Sequence, residues 1–166
     1  ADFIAETDVD LDGTITTSGS QSYQAGTSLS GDTSLSGTTA SVSEAIAGGG
    51  NDLSLNMSGL TTLNQGASGL GNFSSTGDIS LAGDLTTTGS QTFGGNLSLA
   101  GHTALSGSNA SINGVTGNNN NLSVNFTSGA VSLAGAFTGI ADFIAETDVN
   151  LDGSFSTSGS QTYKAS

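Results

Sequence analysis

Among its 166 residues the chain has one lysine or arginine, Lys164, and no cysteine. The absence of cysteine rules out a disulfide framework and any thiolate centre, although an extracellular rod can do without both. With a formal net charge of -13, the chain has almost nothing with which to neutralise phosphate, so a nucleic-acid partner is excluded and docking on anionic membrane surfaces is disfavoured. No apolar run is long enough for a membrane-spanning helix, and no signal peptide or initiating methionine opens the sequence. Hydrophobic residues make up 34%, below the share of an ordinary globule. A narrow rod with one thin apolar column fits that supply better than a thick core does.

What is present is repetition. Thr17-Ser18-Gly19-Ser20-Gln21-Ser22-Tyr23 returns as Thr87-Thr88-Gly89-Ser90-Gln91-Thr92-Phe93 and again as Thr157-Ser158-Gly159-Ser160-Gln161-Thr162-Tyr163. The chain therefore reads as repeats 1–70 and 71–140 and a partial third, 141–166, which together form one continuous segment of a longer repeat protein. Large apolar residues recur in phase: Phe3, Phe73 and Phe143; Val9, Ile79 and Val149; Leu11, Leu81 and Leu151; Ile15, Leu85 and Phe155. Between them Ser, Thr, Asn, Asp, Ala and Gly exchange freely, which is how a core constrains a sequence. Register slips by one residue near Asn113 and recovers at Thr127, and such compensation points to strands joined by turns that absorb the change.

Residues 1–16 alternate at period two, with Val9 and Leu11 on one side and Asp8, Asp10 and Asp12 on the other, the pattern of a half-buried strand. Leu53-Ser54-Leu55-Asn56-Met57 repeats it, followed by Leu60 and Leu63. No window sustains a helical apolar spacing. Asn118 to Asn121 stand where the first copy has Gly48 to Gly50, and asparagine both tolerates a left-handed backbone and can ladder its amide with the next coil. Together these features predict an all-β chain, a right-handed parallel β-helix (β-solenoid) with about three coils per 70-residue repeat. Coils of roughly 20 to 26 residues at a ~4.8 Å ladder spacing would raise the chain about 33 Å.

The T-T-T-G-S-Q-T-F and T-S-G-S-Q-T-Y segments, followed by G-x-x-x-L-x-G and N-N-L-S-V, resemble the repeats of large secreted bacterial β-strand-repeat proteins related to filamentous haemagglutinin. The resemblance implies export to the bacterial cell surface, a β-helical shaft, and a part in adhesion, biofilm or surface filaments. Its implied partners are neighbouring repeats or further copies end to end, with a cell-surface glycan or host protein as an alternative.

Candidate sites are few. Asp8, Asp10 and Asp12, and again Asp148, Asn150 and Asp152, match the opening of a calcium loop, but the closing acid is replaced by Gly19 and Gly159 and the second copy has lost two of the ligands. A solvated strand face is the simpler reading. His102 has neither a second histidine nor a cysteine to form a metal centre, and reads as an outer-face residue. No G-x-S-x-G context supports a hydrolase, so no catalytic residue is assigned and the chain is read as non-enzymatic. Tyr23 and Tyr163 could meet a carbohydrate, but their counterpart Phe93 favours a buried aromatic stack.

Overall fold

The computed structural model describes residues 1–164, all strand, turn and bend, with every strand pairing parallel. It is a β-solenoid of about 8 turns at ~19 residues per turn. Each turn has three sides. Phe3 lies beside Gln21, Gln21 beside Ala40, Ala40 beside Thr61, Thr61 beside Ile79, and the column continues through Leu97, Val115 and Phe137 to Phe155. A second column begins at Val9 and Thr27, and a third runs from Ile15 through Leu35, Leu55, Ser75, Phe93, Ile112 and Leu133 to Leu151. The short in-out-in strands follow from the sequence alternation: Leu97–Leu99 buries both leucines and turns Ser98 outward. The apolar side chains of all three sides meet in one continuous core.

The 70-residue repeat and the solenoid turn are not commensurate. From Phe3 to Leu70 the chain forms nine strands, two of which, Val9–Thr16 and Thr27–Gly37, bend round a corner, so the repeat covers eleven sides. Eleven sides make three turns and two thirds of a fourth, which refines the three coils expected. Phe3 therefore stands on the first side, its counterpart Phe73 on the third, beside Leu53 and Gln91, and Phe143 on the second, beside Leu122 and Gln161. The aromatic pair nevertheless keeps its geometry. Phe3 and Tyr23 are 5.5 Å apart at 47°, Phe73 and Phe93 5.3 Å at 47°, and Phe143 and Tyr163 5.7 Å at 57°. One sequence thus fits all three sides, and the prism is close to threefold in cross-section. At a ~4.8 Å ladder spacing a repeat rises about 18 Å and the described chain about 40 Å.

Length differences sit in the corners, as the register slip implied. Ser43 to Ala45 link Val42 to Ile46, whereas Asn113 and Gly114 alone link Ile112 to Val115. At the triple-glycine corner Gly49 and Gly50 have φ of 60° and 87°, and their counterparts Asn118 and Asn119 have 50° and 62°. A left-handed corner explains why only asparagine replaces glycine there. The Asn118 amide donates to Ser98 Oγ (2.9 Å) and Leu99 O (3.1 Å), so the ladder runs from amide to neighbouring strand rather than from amide to amide. Leu60, expected in the apolar series with Leu63, sits at a corner and is 46% exposed.

Candidate functional site

Two polar arrangements recur along the rod, one at the corners and one inside. At the corners an aspartate, standing just before a strand or, for Asp32, at the bend within Thr27–Gly37, accepts the main-chain N–H one turn further on. Asp2 accepts from Ser20, Asp8 from Gly26, Asp32 from Asp52, Asp52 from Asn72, Asp78 from Asn96, Asp84 from Ala104 and Asp142 from Ser160, all at 2.7–3.0 Å. A corner leaves one donor of the parallel ladder turned outward, and a side chain one methylene long reaches it, so short acids suit the place. The N–H of Ser20 holds the Asp2 carboxyl below its ordinary range, and the N–H and hydroxyl of Ser160 do the same for Asp142.

This geometry gives the calcium-loop residues other neighbours. Asp8 caps Gly26, and Asp10 accepts from Ser28 Oγ at 3.1 Å. Asp12 packs against Gly31 one turn up. All three lie exposed along Val9–Thr16 and its approach, and Asp148, Asn150 and Asp152 are likewise exposed along Val149–Thr157. Among the described residues no three acidic or histidine side chains gather as a metal site. His102 is exposed at a corner, and its Nδ1 accepts the N–H of Asn121 at 2.9 Å.

The interior arrangement is the recurring signature itself. Gln21 is 1% exposed, and its Nε2 donates to Ser36 O (2.9 Å) in the next turn and to Ile15 O (3.2 Å) across the corner. Gln91 repeats this with Ser106 O (2.9 Å) and Leu85 O (3.0 Å). The signature threonine folds its hydroxyl onto the glycine carbonyl: Thr17 to Gly19 at 3.0 Å, Thr87 to Gly89 at 2.9 Å and Thr157 to Gly159 at 3.1 Å. Above it only glycine fits, since a Cβ on Gly37 would lie 2.6 Å from Thr17 Oγ1. Tyr23, fully buried, donates its hydroxyl to Gln21 Oε1 at 2.8 Å, and Tyr163 does the same to Gln161 at 2.9 Å. Burial pushes the Tyr23 phenol up to about 12. A sugar has no access to Tyr23, and Tyr163, 45% exposed, lies on the outermost described turn.

Phe93 has no hydroxyl to give. Gln91 Oε1 is accordingly buried without a partner, as is the hydroxyl of Ser75 on the turn below, where the other copies have Ala5 and Ala145. The sign of this plug in the sequence is the glutamine that recurs at the same place in all three signatures, Gln21, Gln91 and Gln161. What these groups do is hold turn to turn: the corner carboxylates accept from main-chain N–H groups, and the buried glutamine amides donate to main-chain carbonyls. Comparison with protein-family models, curated proteins and solved structures returns no match for this chain.

Proposed function

We propose that this chain is a length of shaft from an extracellular bacterial surface fibre or adhesin, giving reach and resistance to unfolding for adhesion or biofilm. The observation that carries the reading is the seamless passage of the ladder through both repeat boundaries. Leu53, Phe73 and Gln91 stack in register across the first, and Leu122, Phe143 and Gln161 across the second. Each turn buries the open edge of the one before it, so copies add length without a domain junction or hinge. Neighbouring repeats are the natural partners, and the polar sides with their net negative charge keep separate rods apart. The work is mechanical, and no bond-making chemistry is assigned to any side chain.

The test is to join two, four and six units of residues 1–140 and measure the products by electron microscopy and single-molecule stretching. Straight rods whose length grows by about 36 Å per added pair of repeats support the shaft. Beads on a flexible string, or globules that do not lengthen, overturn it. Antibody labelling of intact cells, with no signal at the surface, would remove the extracellular assignment.

A further inference from the structure

His102 occupies a position that elsewhere demands an acceptor. Its counterpart in the first copy is Asp32, which accepts the N–H of Asp52 at 2.9 Å; His102 Nδ1 accepts the N–H of Asn121 at the same distance. The corner continues upward in the same way, with Asn121 Oδ1 accepting from Asp142 N (3.1 Å) and Asp142 Oδ1 from Ser160 N (2.7 Å). An aspartate or asparagine keeps an acceptor throughout the neutral and weakly acidic range, whereas imidazole accepts only while neutral and carries N–H on both nitrogens once charged. Protonation therefore sets one N–H against another at this corner.

The surroundings give the charged ring somewhere to turn. His102, Asp84 and Asp142 line one groove on the outer side of the strands Thr103–Gly107, Leu122–Phe126 and Phe143–Ala145. Asp84 stands just before Leu85–Thr87, one strand below that of His102, where it caps Ala104 (2.9 Å), and Asp142 stands just before Phe143–Ala145, two strands above; the strand between contributes Asn121 and Ser123, which are uncharged. Both charged neighbours are carboxylates, so a charged ring directed into the groove meets only opposite charge.

We propose that His102 is a proton-operated latch on this corner: neutral, it caps Asn121; charged, it releases that amide and turns toward Asp84 and Asp142. The backbone ladder stays closed, since Thr103 N still donates to Asn121 O at 3.0 Å, so the response is a reversible local loosening.

Amide exchange and nitrogen–proton correlation spectra of the labelled chain between pH 8 and 5 test it. As the imidazole signals titrate, the Asn121 amide should move and its protection should fall roughly two- to tenfold, the loss of one hydrogen bond. The Asp52 amide, capped by Asp32, should hold steady over the same range. In His102→Asn, which keeps an acceptor, Asn121 should lose its pH response, and in His102→Ala it should be poorly protected at every pH. Constant Asn121 protection in the native chain, or the same fall in His102→Asn, would overturn the proposal.

Discussion

Phe93→Tyr should stabilise the rod, and Ser75→Ala together with it should do so further. In the first copy the Tyr23 hydroxyl meets Gln21 Oε1 at 2.8 Å; in the second the ring sits in nearly the same pose against Phe73, 5.3 Å and 47° against 5.5 Å and 47°, with no oxygen at its tip. A buried acceptor left without a donor costs about 1–3 kcal/mol, and a hydrogen bond made in its place returns about 1 kcal/mol net. Ser75→Ala removes the other unpaired hydroxyl, for about 1 kcal/mol more. Tyrosine over alanine and phenylalanine over serine contain the same heavy atoms with one oxygen moved, so the double variant reproduces the first copy's packing without added volume. Thermal melting should rise about 2–4 °C for each kcal/mol gained. Because a solenoid can unfold by segments, amide exchange on Leu85–Thr87 and Ser106 should report the gain locally. Phe93→Tyr and the double variant at or below native stability, or a loss in Ser75→Ala alone, would refute the reasoning.

Leu81, fully buried between Leu63 and Leu99, should not accept aspartate: Leu81→Asp is expected to cost several kcal/mol, and unchanged cooperative melting by circular dichroism would sink the inward assignment. Asp2 and Asp142 have lowered folded values, so their stabilisation is present above about pH 4, the unfolded carboxyl value, and is lost as pH falls through the folded ones. Melts between pH 5 and 2 should show that decline, reduced in the paired Asp2→Asn and Asp142→Asn variant. Tyr23 works in the opposite sense: raised to about 12, it supports the fold fully below about pH 10 and ceases to as pH climbs through 12, so ultraviolet titration should show Tyr23 ionising only as the rod opens. At the left-handed corner, Asn119→Gly should be nearly neutral and Asn119→Val should cost about 1–3 kcal/mol, read from denaturant midpoints; equal midpoints would remove the conformational explanation.

The inward columns were legible because burial imposes a strict binary choice: Val9 and Leu11 against Asp8, Asp10 and Asp12 leaves one way to place the strand. The corner at Asn118 was legible for a steric reason, as few residues tolerate positive φ. Gln21 and Gln91 were not, because a polar residue in an alternating strand reads as outward unless its amide has carbonyls waiting on two turns, and those carbonyls exist only once the coil closes. The aspartate caps were hidden likewise: a carboxylate in a loop-like motif suggests a cation, while its partner here is a main-chain N–H about 18 to 20 residues away. The turn length escaped too, because repeat spacing counts residues and cannot count sides.

That mismatch between repeat and turn has a consequence for how such a protein can grow. Gaining or losing one unit by recombination would move everything beyond it about 18 Å along the axis and swing it through two thirds of a revolution. Copy number is then a setting of bearing as well as of reach, and three units must be added before a distal part faces its old direction again. A feature shared by every repeat appears on each flank in turn, so a flank gains a character of its own only where the copies differ, as at Asp32 and His102.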